Sequence, residues 1–395
     1  MKKLMIVGAS VLQLPAILKA KEMGLHVAVV DYNPHAVGIS YADEYFNAST
    51  MDEDAVLDAA EKYQPDGIVT LATDLPMRGV AKASEKLHLH SINYATAFKA
   101  TDKYEMIKAF KEYNVPSPWF FAVDSYDELC ALQSFISFPC IIKPTDNAGS
   151  HGIAKVNSFQ ELLDKYEFAH SFSHGGKVIV EEYLDGPEVS VEVMVVKSQV
   201  HILQITDKIT TGAPHFVEMG HTQPSRLTDD VKQAIRDVAI AACQAIGIDN
   251  GPAHVEMRVT SRGPVMIELG ARLGGDNITT HLVPLSTGID MVGATIQVAL
   301  GEIPDITPTC FCGSAIRYIQ ASNGVIKAIV GEEAASKIPG VKQITFTKEV
   351  GESSVPIQCS NDRIGFVIAQ GADAQNASDI CDNAIACIRV LTSDE

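Results

Sequence analysis

Two glutamates interrupt apolar runs in this sequence: Glu256 in HVEMRV and Glu268 in VMIELGARLGG. A carboxylate buried in a strand without a partner is costly, so each glutamate demands one. Adjacent antiparallel strands can bring both to one face, where a hard divalent cation takes their oxygens together with phosphate and water oxygens. Arg272, four residues beyond Glu268, offers a planar fork for a phosphoryl oxygen. Two outward-facing glutamates paired with Arg258 and Arg272 are the plainer alternative.

Two further segments suit a nucleotide. The strand-like run PCIIKP carries Lys143, and a loop of small residues follows, with Asn147, Gly149, Ser150, His151 and Gly152. A lysine at a strand end with free backbone N–H groups beyond it can surround phosphate oxygens. A sheet-edge lysine before an ordinary hairpin would read the same way. In VIVEEYLDG, Glu181, Glu182, Tyr183 and Leu184 approach a turn at Gly186. Main-chain groups there could read the amino edge of adenine while apolar neighbours sandwich the ring; a strand end with solvated acids is the alternative.

These residues need elements to hold them. From the N-terminus the pattern alternates strand and helix: KLMIVGAS, a helix from Pro15 to Met23, HVAVVDYNP, a helix from Asp52 to Tyr63, then GIVTLATD. That is a parallel, doubly wound α/β unit. Gly8 ends the first strand and Asp31 the second, as in a dinucleotide site, but Ala9 to Gln13 lack the further glycines such a site needs. A boundary is expected near 93–100, before a helix from Thr101 to Tyr113 that carries Lys103 and is capped by Thr101 or Asp102. Beyond it, CIIKP, KVIVEEYL, EVSVEVMVV and VHILQIT predict a mainly antiparallel sheet or pair of sheets. A long helix from Asp229 to Ile246 follows, then a hairpin turning at Ser261-Arg262-Gly263. The section from about residue 308 reads as short strands closed by a helix from Ala374 to Leu391. Three units result: 1–95, α/β; 96–307, α+β, with a lid over about 116–183; and 308–395, small and β-rich.

Composition sets limits. The 395 residues are 46% hydrophobic and 20% charged, enough for a large core. With 31 basic against 49 acidic residues, the formal charge of −18 argues against nucleic-acid binding. The eight cysteines contain no C-x-x-C pair and read as reduced thiols. The chain opens straight into a strand, and no run reaches the roughly 18 apolar residues of a membrane helix. A cytoplasmic setting, away from membranes, is expected.

Taken together, Lys103, Lys143, the loop 147–152, Glu181, Glu256, Glu268 and Arg272 resemble the ATP-grasp superfamily over nearly the whole chain. The resemblance implies ATP and Mg²⁺ as cofactors, with one or two ions and Mn²⁺ able to substitute. It assigns Lys103 and Lys143 to the phosphates, the 147–152 loop to a lid, and Glu181 with Tyr183 and Leu184 to adenine. Glu188 falls to ribose, Glu256 and Glu268 to magnesium, and Arg272 to the transferring phosphoryl group. The family often has asparagine two residues after the second glutamate, where this chain has Gly270, which puts a fully occupied second metal in doubt.

The segments PHFVEMGHTQPS and ELGARLGGDNITTHLVPLSTGIDM resemble, more weakly, the subgroup containing L-amino-acid ligases and carnosine synthase; carbamoyl-phosphate-synthase-like members are the other near group. That likeness implies a carboxylate–amine ligase acting on small-molecule carboxylate and amine substrates through an acyl phosphate. It places Glu218 and His221 on an ammonium group or incoming amine and Gly274, Gly275 and Asp276 in the acyl pocket. Arg317, in SAIRYI, is assigned to a substrate carboxylate or, equally, to an acid of another domain. A homodimer is carried over by analogy. The rival readings are a purine-biosynthesis-like or carbamoyl-phosphate-synthase-like enzyme, a non-catalytic nucleotide-binding regulator, and a nicotinamide-dependent oxidoreductase.

Overall fold

The computed structural model describes residues 1–147, 152–173 and 175–393. At the N-terminus, β1 (Lys3–Val7), β2 (His26–Asp31), β3 (Glu44–Asn47) and β4 (Gly67–Val69) form a parallel sheet in the order β3-β2-β1-β4. The strands are nearly unbroken apolar runs because both faces are covered. Helices α2 (Glu53–Tyr63) and α3 (Met77–Leu87) pack on one face, and α1 (Leu14–Glu22) on the other. A distant helix, Met291–Ala299, completes that second face, so this unit's core borrows from chain far downstream. Gly8 adopts a φ of +101°, and Gln13 fills the space beside it. Asp31 accepts the N–H groups of Ala9 and Asn33 at 2.8 and 2.9 Å. Its carboxylate thus ties the turn after β1 to the end of β2, a local structural role.

The stretch expected to be a boundary is a helix, α4 (Tyr94–Thr101), capped by the Asn93 side chain. Its Ala97 and Ala100 lie in one core with Val191, Val193 and Val255 of the strands beyond. Asp102 caps α5 (Lys103–Glu112), which fixes Lys103 at the first helical position.

Next comes a four-stranded antiparallel sheet in the order β5-β8-β6-β7. Its strands are β5 (Phe120–Val123), β6 (Cys140–Pro144), β7 (Ala154–Val156) and β8 (Val178–Glu182), with α6 (Tyr126–Ala131) and α7 (Phe159–Ser171) between them. It has a core of its own built on Leu129, Ile142, Leu162 and Val180.

The largest sheet has eight strands in the order β13-β12-β9-β10-β11-β14-β18-β16. They are β9 (Glu188–Val196), β10 (Gln199–Thr210), β11 (Glu218–Gln223), β12 (Gly251–Thr260), β13 (Gly263–Gly270), β14 (Gly313–Ile319), β16 (Val341–Phe346) and β18 (Gly365–Gly371). The alternation in EVSVEVMVV decides how it sits. Val189, Val191, Val193 and Val195 pack against α8 (Asp229–Ile246), while Glu188, Ser190 and Glu192 point the other way. The section after residue 308 continues this sheet through β14, β18 and β16. It also adds α11 (Glu332–Ser336), α12 (Ala374–Cys387) and a small sheet of β15 (Gly324–Val330), β17 (Ser353–Ser354) and β19 (Arg389–Thr392). The closing helix therefore ends four residues earlier than expected: Ile388 is extended, and the Arg389–Thr392 segment pairs with β15. The remaining helices are α9 (Val283–Thr287) and α10 (Met291–Ala299). Among the described residues no single helix is long and apolar enough to cross a membrane.

Candidate active site

One cavity of about 920 Å³ lies between the N-terminal sheet, the four-stranded sheet and the polar face of the eight-stranded sheet. The loops that follow β1, β2 and β4 supply Leu12, Tyr32 and Ala72 to Leu75, as expected for a parallel sheet offering the carboxyl ends of its strands to a ligand.

Its centre is set by register. Glu256 and Glu268 are direct partners across the β12–β13 ladder, so both carboxylates point to the same side. His254, two residues before Glu256, shares that face, and its Nε2 stands 3.0 Å from Glu256 Oε1. Its Nδ1 is 3.0 Å from both oxygens of the fully buried Glu192. Burial opposes the imidazolium, but Glu192 and then Glu256 overcome it and lift the His254 pKa to about 9. Lys208, on β10 and almost fully buried, reaches Glu188 at 2.8 Å, Glu256 at 3.0 Å and Glu218 at 3.5 Å. Burial works against its charge too, yet the three carboxylates hold its pKa well above the usual lysine value. Burial likewise opposes the Glu256 charge, and Lys208 with His254 holds that carboxyl well below the usual range.

Around this centre stand the other basic groups. Lys103 Nζ lies 3.1 Å from Glu268 Oε2 and donates to the Asn147 carbonyl at 2.8 Å. Lys143 is ion-paired with Glu181 across the β6–β8 pairing. Glu181 keeps its second oxygen, Oε2, buried and without a hydrogen-bond partner, an acceptor that a ligand N–H would satisfy. Glu182, Tyr183 and Leu184 continue the same wall; Glu182 also holds Arg262 at 2.6 Å. Glu188 bridges Lys208 and Arg258. Arg272 forms a two-pronged pair with Asp74, 3.0 Å from Nε and 2.8 Å from Nη2.

At the far end, His221 Nε2 is 3.2 Å from Asp276, and its Nδ1 is buried without a partner. Arg363 grips both oxygens of Asp276 at 2.9 Å and lies over the Tyr318 ring. Burial pushes the nearby Glu218 carboxyl upward, Lys208 offsets part of this, and Asp276 adds to it.

Expected residues and observed positions agree unevenly. Lys103, Lys143, Asn147, Glu181, Glu182, Tyr183, Leu184, Glu188, Glu218, His221, Glu256, Glu268, Arg272, Gly275 and Asp276 all line this cavity. Gly149, Ser150 and His151 lie outside the described residues. Gly152 is buried at φ +76°, packed under Phe172 and Pro144, and so does not line the cavity. Gly274 stands behind the wall, where a Cβ would meet His254 Nδ1 at 2.5 Å; it makes room for the histidine and does not face substrate. Arg317 corrects the expectation that it meets a substrate carboxylate. It pairs across β11–β14 with Gly220, so it points away from the face that carries His221. There it reaches Asp382 at 3.0 Å and Ser378 at 2.7 Å, both on α12 of its own C-terminal unit, so its acid partner is not from another domain, as the alternative had it. Lys208, His254, Asp74 and Arg363 were missed, and Arg258, weighed only as a partner of the two central glutamates, pairs with Glu188. The H-x-E spacing of His254 and Glu256 was a readable signal for one of them.

The cavity is lined by eight carboxylates against five lysines and arginines. A triphosphate entering such a site needs added positive charge. Glu268 keeps Oε1 free of any protein hydrogen bond among the described residues, and Glu256 faces it. No group of three or more metal-binding side chains occurs among the described residues. The facing pair Glu256 and Glu268 fits Mg²⁺, which binds through one or two carboxylates and completes its shell with phosphate and water.

Comparison with known proteins identifies the domain around this cavity. Residues 136–280 match the ATP-grasp domain, and residues 317–393 match the L-amino acid ligase C-terminal domain 2. The chain carries an ATP-grasp domain. Enzymes of this family use ATP and magnesium. An uncharacterized protein of Sinorhizobium fredii, y4rH, is 30% identical over 279 residues, 69% of this ATP-grasp chain and 57% of that protein, so the chain spans little more than half of this relative. Alanine–anticapsin ligase of Bacillus subtilis is 25% identical over 325 residues, 75% of this chain and 68% of the ligase. The crystal structure of L-amino acid ligase from Bacillus licheniformis superposes with a TM-score of 0.86 at 23% identity, covering 100% of this chain and 99% of that one. That of phosphoribosylglycinamide synthetase from Anaerococcus prevotii gives 0.80 at 26%, covering 99% and 100%.

Proposed function

We propose that this ATP-grasp protein is a carboxylate–amine ligase that forms an amide or peptide bond, with an amino-acid-type substrate, through an acyl phosphate. The observation that carries the reading is the pairing of Glu256 with Glu268 on one face, within the cavity that also receives Lys103, Lys143 and Arg272. Residues 96–307 do the chemistry, with the sheet at about 116–183 as the lid. Residues 1–95 and 308–395 close the two ends.

ATP lies with adenine against Glu181 and the backbone of Tyr183 and Leu184, where the unpartnered Glu181 Oε2 accepts a donor. Ribose sits by Glu188. Lys103 and Lys143 turn from their acid partners to the phosphates, and the loop with Asn147, Gly149, Ser150 and His151 covers them. Magnesium held by Glu256 and Glu268 supplies neutralising charge at the phosphate oxygens; manganese, another cation suited to oxygen ligands, substitutes for it. An oxygen of the carboxylate substrate attacks the γ-phosphorus, the bond to the β–γ bridging oxygen breaks, and ADP leaves with the electron pair. Arg272 faces the charge that spreads over the transferring oxygens. The amine nitrogen then attacks the acyl carbon, the bond to the phosphate oxygen breaks, and the amine loses a proton. Exclusion of water by the lid protects the acyl phosphate from hydrolysis.

Glu218 and His221 hold the ammonium or incoming amine, and Gly275 and Asp276 border the acyl group. The acidity of this end favours an amine over the phosphorylated substrates of purine-type ligation. Arg363, the nearest further cation, is already committed to Asp276. All eight cysteines are free thiols, as a reducing cytoplasm keeps them, and a homodimer is the assembly proposed by analogy.

The test is a screen of amino acids and small carboxylic acids, singly and in pairs, for phosphate release. Release that needs a pair, with a condensed product by mass spectrometry, supports the ligase. Release with one acid alone, or with none, removes the reading.

A further inference from the structure

Asp74 is the one charged side chain that the N-terminal unit places in the cavity, and no role above requires it. It lies in the loop after β4, which also touches the segment beyond β13 through the Leu71–Leu273 bridge and the Ala72 N–H bond to the Leu273 carbonyl. Its carboxylate takes the Nε and Nη2 edge of Arg272, and Nη1 donates to the Leu273 carbonyl at 3.2 Å. A guanidinium has five N–H donors in one plane. Three are used, which leaves one on each terminal nitrogen for an incoming oxygen.

Gly270 bears on the same pair. A Cβ at that position would stand 2.7 Å from Asp74 Oδ1 and 3.0 Å from Arg272 Cζ. The glycine that departs from the usual family pattern thus provides the space in which the acid and the guanidinium meet. Arg272 otherwise hangs on a long flexible stem two residues past the end of β13, and ordering such a side chain costs up to about 2 kcal/mol. A partly buried, two-pronged acid meets that cost before substrate arrives.

We infer that Asp74 is a positioning residue that holds Arg272 with its outer fork toward the phosphoryl group, so that the N-terminal unit completes the transfer site. The inference rests on the ligase reading for its kinetic consequence but not for its geometry. Asp74→Asn should lower kcat for paired-substrate phosphate release about tenfold or more, with the KM for ATP within about twofold. Asp74→Glu should restore part of the rate, and Gly270→Ala should resemble Asp74→Asn. Combining Asp74→Asn with Gly270→Ala should cost little beyond either alone. A second measurement needs no turnover: phenylglyoxal labelling of Arg272, read by peptide mass spectrometry, should rise several-fold in Asp74→Asn. Wild-type kcat together with wild-type labelling in Asp74→Asn overturns the inference. So does a rate loss matched by a fall in the fraction folded, without a change in labelling. If the unmodified enzyme releases phosphate with no pair, the ligase reading fails, and the labelling alone still decides whether Asp74 holds Arg272.

Discussion

His254 and Glu256, two residues apart on one face of β12, are bonded to each other, with Nε2 3.0 Å from Oε1. The contact sets a pH dependence. Burial lowers the histidine pKa and Glu192 with Glu256 more than reverses this, to about 9 in the folded chain against 6.5 when unfolded. A raised folded pKa contributes stability that is complete below pH 6.5 and is lost as pH rises through about 9. Urea unfolding should therefore show a loss on the order of 3 kcal/mol between those limits. The His254 imidazole resonances should titrate near 9 by NMR; a midpoint at 6.5 would remove the account.

Glu268→Gln keeps the shape of the side chain but takes half of the facing carboxylate pair. Phosphate release should fall by at least about a hundredfold, since charge neutralisation at the phosphates is among the largest catalytic terms. The magnesium concentration for half-maximal rate should rise. Because Lys103 loses its anion, stability should fall by about 1–3 kcal/mol, measured by chemical unfolding. Unchanged magnesium dependence would place the cation elsewhere.

Glu218→Gln should separate binding from stability. In the wild type, burial raises this carboxyl, so its ionisation becomes a cost to folding once pH passes the ordinary carboxylate value and remains so above the raised one. Lys208 is 3.5 Å away and closer to Glu188 and Glu256, so it offsets only part of that cost. The neutral variant should unfold at a slightly higher temperature near pH 7, by about 0.5–1 kcal/mol of stability. It should also raise the KM for the amine substrate tenfold or more, the loss of a charged hydrogen bond. An unaltered KM would exclude Glu218 from the amine site.

What could be read from the chain followed how local the physics was. The α8 helix appears over Asp229–Ile246 as predicted because one amphipathic stripe and a glycine stop suffice to define it. Glu256 and Glu268 were legible as acids on adjacent antiparallel strands, but their direct pairing was not: the turn alone would set Glu256 opposite Ile267, and a register shift between Glu256 and Met257 brings Glu268 there. Lys208 was not: a lone lysine in VHILQITDKIT looks solvated until the registers of β9, β10 and β11 set it opposite Glu188 and His221. Asp74 lies 198 residues from its partner Arg272, and only closure of the N-terminal unit joins them. Arg317 was misassigned by parity, because neighbours along a strand face opposite sides and the register with Gly220 was unknown.

That parity makes Arg317→Ala the reverse of the site variants. Its guanidinium donates to Asp382, Ser378, Thr222 and the carbonyls of His221 and Ile316, all away from the cavity. Truncation leaves the buried carbonyls and hydroxyls without their donor beneath α12, a loss of about 2–4 kcal/mol. Gly220, whose missing side chain admits the arginine stem, then borders a void. Unfolding by urea should shift accordingly, while the KM values for both organic substrates, measured on the folded fraction, stay within about twofold. A rise in either KM with stability intact would return Arg317 to the substrate pocket and contradict the face assigned to it by the β11–β14 pairing.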